Sequence, residues 1–320
     1  MGNAGFQTPC PVPHACFLVG PTASGKSAVA QYIAEREGQL IVSADSMSLY
    51  LGMDIGTAKP SAAERARVDY AGIDLADPTE KFSVAGYLDA VRPFFNSGRE
   101  IIVTGGTGLY VKCLTEGFGD VPPENKELRA GLEALDFDAL KKRAQKEAAE
   151  LYGRLTEDDQ QNPRRLIRIL EKVVEGTPSP ATAEAKYYGS WNSRPKPVLV
   201  GLHVEREVLH KRIEQRVDKM YAAGLLDEAR GLLGVNLSST AMQAIGYAEA
   251  FAVLHGEITV DEAREKTIIR TRRLAKRQMT WFRNQLNVEW IDAAGYPTLE
   301  KLAEAVSLAW KRVGPAMLRI

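Results

Sequence analysis

The eight residues from Gly20 to Ser27, GPTASGKS, carry the sharpest chemical signal in the sequence. They fit the pattern G-x-x-x-x-G-K-[ST], with an apolar run before them and a helical pattern after them. Glycines let the backbone approach phosphate oxygens closely, and successive N–H groups at a helix N-terminus then face the anion. The pattern therefore predicts a phosphate-binding loop, without saying which phosphate compound is bound. The alternative is a glycine-rich turn beside an exposed lysine.

The residue types within this loop have different expected roles. Lys26 supplies a positive point charge to the phosphates, and the Ser27 hydroxyl is placed to ligate Mg²⁺. The other phosphate-binding positions are expected to contribute backbone N–H groups or space for close approach. They are Gly20, Thr22, Ala23, Ser24 and Gly25.

Two further turns are predicted to lie near the phosphate loop, one carrying Asp45 and one carrying Thr107. Each follows an apolar run, and ligands of open α/β sheets lie beyond the carboxyl ends of the strands. If both strands neighbour the first, Asp45 and Thr107 converge on the loop. By residue type alone, Asp45 is a Mg²⁺ ligand, a catalytic base or a helix N-cap, and Thr107 after two glycines also suits an N-cap.

Short apolar runs alternating with helical patterns indicate the fold class. Continuous runs without alternation suit a parallel sheet covered on both faces, so we expect an α/β fold with a P-loop NTPase-like parallel sheet. Helices are predicted from Lys26 to Glu37 and from Ser83 to Asn96. The predicted strands are residues 16–19, 40–42, 101–103 and 198–200.

The composition changes along the chain and predicts its domain organisation. Residues 1–15 are expected to be a disordered leader, and residues 16–120 with 197–320 the α/β core. Residues 121–196, charged and helix-patterned at first and proline-rich later, are predicted to form a helical insertion. From Val204 onward the pattern predicts helices almost to the end of the chain.

Overall composition excludes several protein classes. In 320 residues, 45% are hydrophobic and 26% charged, which is typical of globular proteins and excludes global disorder. Lys+Arg and Asp+Glu both number 41, so a nucleic-acid partner must be held by a local patch. Three cysteines without CxxC spacing exclude a disulfide framework and argue against a zinc site. No apolar run is long enough for a transmembrane helix and no signal peptide is recognisable, so we expect a cytoplasmic protein without membrane contact.

A local basic patch is predicted near the C-terminus. Residues 264–283 contain eight cations and a single acid, Glu265. At about 100° per residue, Lys266, Arg270, Arg273 and Arg277 fall in one stripe of an amphipathic helix. We expect this stripe to contact nucleic acid or phosphate, the alternative being a solvated face. A second cluster on the predicted insertion indicates an extended polyanion rather than a small molecule; it comprises Arg164, Arg165 and Arg168.

With these pieces placed, the sequence resembles the tRNA dimethylallyltransferases of the bacterial type, also called tRNA isopentenyltransferases. The match runs from about Phe17 to Arg283. The matching segments are GPTASGKS (20–27), SADSMSLYLGMDIGTAKP (43–60), VTGGTGLYVK (103–112), RIEQRVDKMYAAGLLDEA (212–229), QAIGYAE (243–249) and TRRLAKRQMTWFR (271–283).

The resemblance implies a reaction and a set of partners. A dimethylallyl group passes from dimethylallyl diphosphate to the exocyclic amine of the adenosine beside the anticodon of a tRNA. The phosphate loop then holds the diphosphate leaving group with Mg²⁺, and no nucleotide. The target base must be splayed out of the anticodon loop to reach the pocket. We expect the protein to act as a monomer.

The resemblance also assigns roles to residues. Asp45 matches the family's base, and Thr107 matches a hydroxyl that bonds the bridging oxygen or positions the amine. Arg212 and Arg216, four apart on one helix face, are expected to clamp the diphosphate. Ser48 stands where many members have Gln, which puts base contacts at that point in question. The implied tRNA-binding residues beyond the basic stripe are Asp45, Ser46, Met47, Ser48, Thr107, Arg129, Arg164, Arg165, Arg168, Gln243, Gly246 and Tyr247.

Three rival functions remain at this point. The first is transfer of the same group to free adenylate, against which the basic helix and the arginine-bearing insertion argue. The second is an ATP-dependent small-molecule kinase, which would release ADP. The third is a nucleotide-gated RNA-binding module that binds tRNA without chemistry.

Overall fold

A computed structural model describes residues 13–117, 125–174 and 196–319. The leader predicted for residues 1–15 therefore lies outside the described residues up to residue 12. The strands are β1 (His14–Val19), β2 (Leu40–Ser43), β3 (Tyr70–Ala71), β4 (Ile101–Gly105), β5 (Val198–His203), β6 (Asn287–Asp292) and β7 (Ala316–Met317). The helices are α1 (Lys26–Glu37), α2 (Ala62–Arg65), α3 (Val84–Phe95), α4 (Gly108–Glu116), α5 (Lys126–Glu133), α6 (Phe137–Glu147), α7 (Ala149–Gly153), α8 (Glu157–Gln160), α9 (Pro163–Val174), α10 (Arg206–Ala222), α11 (Leu225–Gly231), α12 (Tyr247–Leu254), α13 (Val260–Gln285) and α14 (Leu299–Val313).

The strands form one sheet in the order β3-β2-β4-β1-β5-β6, with every pair in this order parallel. β7 adds an antiparallel pairing to β1. The predicted fold class is confirmed, and the four predicted strands lie within β1, β2, β4 and β5. β4 neighbours β1, whereas β2 neighbours β4. The carboxyl ends of β1, β2 and β4 therefore meet at one edge, where the chain turns into the predicted site.

The prediction of helices almost to the end of the chain is wrong for residues 287–292. These residues form β6, whose six residues pair in parallel with β5. Polar and apolar residues alternate from Asn287 to Trp290, and the four central residues of the strand are half-buried, as in an edge strand. Cations and helix-forming residues of α13 precede it directly, and they extend the helical pattern in the sequence past its true end.

The main core is built from strand residues packed against helices on the sheet. Leu18 and Ile102 from the central strands pack with Ile33 of α1 and Val306 of α14, all at most 3% exposed. Trp310 of α14 donates its ring N–H to the Phe17 carbonyl oxygen at 2.9 Å. This packing holds β1, and hence the start of the phosphate loop, in a fixed position.

The chain divides into two compact units, one of Met1–Gly117 with Pro195–Ile320 and one of Phe118–Arg194. The first contains the sheet. The second contains the helices α5 to α9, which pack around their own core of leucines and isoleucines. Across the described ranges, no helix combines the length and the apolar composition that crossing a membrane would require.

Candidate active site

The phosphate loop joins β1 to α1 with a tightly curved backbone. Ala23 and Gly25 have φ values of 63° and 95°, both in the left-handed region. A Cβ on Gly20 would lie 2.8 Å from the Leu202 carbonyl oxygen, so only glycine fits between β1 and β5 here. The loop thus ends directly at the N-terminus of α1, where unpaired backbone N–H groups favour an anion.

Cations cluster around this loop in a cavity of about 880 Å³. The Lys26 side chain is buried, and its Nζ donates to the Pro21 carbonyl oxygen at 3.2 Å. Arg212 reaches the loop from α10 and donates to the Ser24 carbonyl oxygen at 3.3 Å. Within the described residues, four cavity-lining cations have no ion-pair partner: Lys26, Arg212, Arg216 and Lys219.

Burial shapes the electrostatics of this cluster. It lowers the pKa of Lys26 to about 8, while Asp45 acts in the opposite direction and Arg216 adds to the lowering. Burial also lowers the pKa of Arg216, again against the effect of Asp45. A bound anion would relieve the cost of holding these charges out of water. The cavity is therefore suited to a compact, multiply charged anion such as a diphosphate.

The turns that carry Asp45 and Thr107 interlock beside the loop. The Thr107 N–H donates to the Ala44 carbonyl oxygen at 3.0 Å, and the Ser46 N–H donates to Thr107 Oγ1 at 2.9 Å. A Cβ on Gly105 would lie 2.2 Å from that same Ala44 oxygen, so glycine is required for this approach. The two turns contact each other because β2 pairs with β4. The condition that both strands neighbour β1 holds for β4 and is wrong for β2.

The helix-cap alternatives for both residues are not supported. No helix follows Asp45, since the next one begins at Ala62; its carboxylate accepts the Met47 N–H at 2.9 Å, which shapes the turn. Thr107 does precede α4, but its side chain makes no capping hydrogen bond and engages Ser46 instead. Asp45 lies close enough to Lys26 to raise that residue's pKa, so it stands beside the cation cluster.

Two stacked tyrosines lie behind the Asp45 turn. The rings of Tyr87 and Tyr110 are parallel, with centroids 4.1 Å apart, and the Tyr87 hydroxyl donates to the Ser43 carbonyl oxygen at 2.9 Å. Burial raises the pKa of both hydroxyls, and Asp45 adds to this effect. The tyrosines therefore stay neutral and act as a rigid apolar support for the turn.

One wall of the cavity, residues 54–59, is fixed by a residue that sequence reasoning missed. Glu228 of α11 accepts the backbone N–H groups of Asp54, Ile55 and Gly56 at 2.9–3.3 Å. It also accepts the Tyr247 hydroxyl at 2.5 Å. A carboxylate that receives several backbone N–H bonds holds a loop firmly. Glu228 lies in a matching segment of the sequence, which was the available signal for it.

Lys59 anchors the end of the same wall. Its buried Nζ donates to Asp54 and Asp74, each at 2.6 Å, and to the Tyr50 carbonyl oxygen. Arg65 makes a second ion pair with Asp74. Carboxylates thus neutralise both Lys59 and Arg65, so these two cations stabilise the cavity wall and are not counted among the unpaired cations.

The predicted basic stripe on α13 is only partly free. Arg270 forms an ion pair with the buried Glu249, and its contact with tRNA stays a prediction. Arg264 and Arg272 likewise pair with Asp218 and Glu214. Within the described chain, the exposed cations of α13 without an ion-pair partner are Lys266, Arg273, Lys276, Arg277 and Arg283.

The arginines of the second unit also divide into those paired with a buried carboxylate and those that are exposed. Arg129 binds Glu171 through two N–H groups at 2.8 and 2.9 Å, and Arg168 binds the same fully buried carboxylate at 2.6 Å. Both arginines neutralise Glu171, and their contacts with tRNA stay predictions. Arg164 and Arg165 are exposed, with Arg165 only 3.4 Å from Asp159.

Four other predicted tRNA contacts divide by exposure. Ser48 is buried, and its hydroxyl bonds the Ser43 hydroxyl and the Asp45 carbonyl oxygen, so it stabilises the turn. Tyr247 is fully buried against Glu228, and Gly246 is buried beside it. Gln243 is exposed. Ser48, Gly246 and Tyr247 thus support the surrounding structure, and their direct contacts with tRNA stay predictions.

Comparison with known proteins agrees with this geometry. The model of the IPP transferase family matches residues 48–285. A tRNA dimethylallyltransferase of Geobacter metallireducens is 41% identical over 290 residues, which cover 87% of this chain and 92% of that protein. A protein of the same name from Streptomyces griseus is 40% identical, covering 88% and 91%.

The chain belongs to the IPP transferase family. The resemblance seen in the sequence is therefore confirmed. Among solved structures, the tRNA isopentenylpyrophosphate transferase of Bacillus halodurans matches with a TM-score of 0.66 at 35% identity, covering 94% of this chain and 97% of that one. A eukaryotic dimethylallyltransferase acting on tRNA has a TM-score of 0.76 at 22% identity, and this match supports the fold alone.

Proposed function

We propose that the protein transfers a dimethylallyl group from dimethylallyl diphosphate to the exocyclic amine of the adenosine adjacent to the anticodon in tRNA, with release of diphosphate. One observation carries this proposal. Among the described residues, four cations without an ion-pair partner line one cavity, and Asp45 lies near enough to Lys26 and Arg216 to raise the pKa of each. Thr107 bonds the turn that carries Asp45. The cavity suits an anionic leaving group, and the turn suits a nucleophile that must lose a proton.

On the leaving-group side, the C–O bond between the allyl carbon and the diphosphate breaks. The allyl carbon develops carbocation character because its charge is delocalised, so catalysis depends on stabilising the departing anion. Lys26, Arg212 and Arg216 converge on the space where that charge develops. Because these cations are held in place before the substrate binds, little reorganisation is needed as the bond breaks.

The loop also suits Mg²⁺. Mg²⁺ is usually held by one or two protein oxygens together with phosphate oxygens and waters, so it needs no cluster of carboxylates. Among the described residues no such cluster of metal-binding side chains exists. Ser27 offers an exposed hydroxyl at the start of α1, and Ser24 a buried hydroxyl without a partner in the described chain. When bound, the ion would neutralise part of the diphosphate charge, and Ser27 is the residue that would hold it.

On the acceptor side, the amine nitrogen forms the new C–N bond and its proton passes to the Asp45 carboxylate. A carboxylate cannot deprotonate an adenine amine in advance, but it can accept the proton as bond formation makes the nitrogen acidic. Thr107, bonded to the Asp45 turn through Ser46, is placed to position the amine or the bridging oxygen. Asp45 thus accepts the proton, Thr107 positions the reacting group, and the cations act on the diphosphate.

The tRNA is held by local cations, since the net charge of the chain is zero. The exposed cations of α13 supply phosphate contacts, among them Arg273 and Arg277 of the stripe. Arg164 and Arg165 of the second unit and Gln243 are further contacts. Ser46 and Met47, half-buried in the Asp45 turn, are placed to contact the flipped base.

The direct test is mass spectrometry of tRNA nucleosides after incubation with dimethylallyl diphosphate and Mg²⁺. We expect one modified adenosine per tRNA, placed beside the anticodon by nuclease fragment analysis. Product on free adenylate but not on tRNA would contradict the acceptor, and tRNA binding without product would indicate a binding module. Release of ADP from ATP in the presence of a small-molecule acceptor would indicate a kinase instead.

A further inference from the structure

One side chain of α13 connects the two halves of the candidate site. Gln278 Oε1 accepts the Thr22 N–H of the phosphate loop at 2.8 Å. The Nε2 group of the same side chain donates to the Gly106 carbonyl oxygen at 3.0 Å, in the turn that carries Thr107. A single amide thus bridges the loop for the leaving group and the turn for the acceptor.

The surrounding packing leaves the amide little freedom. A Cβ on Gly106 would lie 2.2 Å from Gln278 Nε2, so the backbone of the turn packs directly against the side-chain amide of Gln278. One helical turn further along α13, the Trp281 ring covers Gly108, where a Cβ would lie 2.0 Å from a ring carbon. Because residues three apart share a helix face, Gln278 and Trp281 together press α13 onto the turn.

We propose that Gln278 is a positioning residue that fixes the separation between the diphosphate and the attacking amine. This inference rests on the proposed function of the same site. The nucleophile in transfer must lie in line with the breaking C–O bond, and a displacement of about 1 Å can reduce the rate by roughly 100-fold. Gln278 sets that geometry because it binds one backbone group on each side.

The location of Gln278 also links this alignment to tRNA docking. Arg277 precedes it in the sequence, and Arg273 lies on the exposed stripe of the same helix. The tRNA therefore docks on one face of α13 while another face holds the two catalytic segments. RNA contacts that hold α13 in place would also hold the Gln278 amide between Thr22 and Gly106.

The test compares Gln278→Leu and Gln278→Glu with a matched control, Gln285→Leu. Gln285 lies on the same helix and also bonds another element, through Lys112 at 3.0 Å, but it touches neither catalytic segment. The measurements are the single-turnover rate of transfer at saturating substrates, tRNA affinity, affinity for inorganic diphosphate with Mg²⁺, and the melting temperature.

We expect Gln278→Leu to lower the single-turnover rate by about 30–100-fold while both affinities change less than about threefold. Gln278→Glu keeps the acceptor for Thr22 but places a charge beside the loop, so it should lower the rate and also weaken diphosphate binding. Gln285→Leu should match the wild type in all four measurements.

Rates of both Gln278 variants within about threefold of wild type would overturn the inference. A loss explained entirely by weaker binding of tRNA or diphosphate would overturn it as well. If Gln278→Leu does not fold, Gln278→Glu carries the test, because it retains the shape and one of the two bonds. A wild-type protein that forms no modified tRNA would instead contradict the proposed function itself.

Discussion

The two halves of the candidate site contain different types of chemical group. Among the residues that the structure describes, the half around the phosphate loop contains four cations without an ion-pair partner, and burial lowers the pKa of Lys26 and Arg216. The half around Thr107 contains hydroxyls, backbone amides and one carboxylate, Asp45. On the proposed function, the first half stabilises a leaving anion and the second accepts a proton, and Asp45 lies near the cations of the first half.

This difference indicates how each half tolerates change. Cations of the leaving-group half act together, so the loss of one weakens binding and catalysis without abolishing them. The acceptor half depends on one proton acceptor whose position is set by the contacts of Ser46 and Thr107. Substitutions in the two halves should therefore affect different kinetic quantities.

The largest effect is expected from Asp45→Asn, which keeps the shape of the side chain and removes the proton acceptor. We expect kcat to fall by about 100-fold or more, with tRNA affinity largely kept. Steady-state kinetics with both substrates and a tRNA filter-binding assay check this. The control is Asp89→Asn, the same change at an exposed carboxylate. Collapse of tRNA binding with kcat preserved would make Asp45 a residue that only shapes the turn.

An intermediate effect is expected from pH, through Lys26. With a pKa of about 8, Lys26 is charged below that pH and loses its proton above it. Because the charged form binds diphosphate, kcat/KM for dimethylallyl diphosphate should fall by up to about tenfold per pH unit above pH 8. Asp45 raises the Lys26 pKa, so Asp45→Asn should move this decline to lower pH.

Lys26→Arg provides the matched control for this pH dependence, because an arginine keeps its charge throughout the range. Its residual activity, whatever its level, should show no decline near pH 8. A wild-type profile that stays flat to pH 10, or an identical decline in Lys26→Arg, would assign the titration to another group.

The smallest effect is expected on the RNA surface, where many contacts share the binding energy. Each phosphate contact contributes about 0.7 to the slope of log K against log salt in a single strand and about 0.9 in a duplex. Replacing Arg273 and Arg277 together by Gln removes two such contacts, so the slope should become shallower by roughly 1.4–1.8. The control is Arg264→Gln with Arg272→Gln, which removes two paired cations from the same helix. Parallel lines for wild type and the Arg273/Arg277 variant would mean that the stripe is only a solvated face.

Local patterns were sufficient to predict the fold class and the phosphate loop. The spacing of Gly20, Gly25 and Lys26 encodes a backbone shape and a charge within eight residues, so no distant residue is needed to recognise it. Helix α1 was predicted with its observed bounds for the same reason. The edge strand β6 was missed because its alternation is short and follows directly on a charged helix.

Partners that are distant in the sequence could not be predicted in this way. Arg270 and Arg273 are both arginines on one helix, so the sequence does not distinguish them. Among the described residues, Arg270 pairs with the buried Glu249 of another helix, whereas Arg273 has no ion-pair partner. Glu171 forms ion pairs with Arg129 and Arg168 in the same manner, and neither pair is visible in the sequence. Gln278 carries no charge, and the loop and turn that it bridges are 256 and 172 residues away.

The separation of the two halves is tested most directly by calorimetric titration of inorganic diphosphate with Mg²⁺. The titration is run well below pH 8, where Lys26 is charged with or without Asp45. Lys26→Ala should weaken binding by roughly 10–150-fold, the loss of one charge-assisted contact of about 1.5–3 kcal/mol. Asp45→Asn should bind diphosphate as tightly as the wild type or more tightly, since a negative charge near the cavity is removed. Unchanged binding by Lys26→Ala, or a comparable loss in Asp45→Asn, would contradict the separation of the two halves.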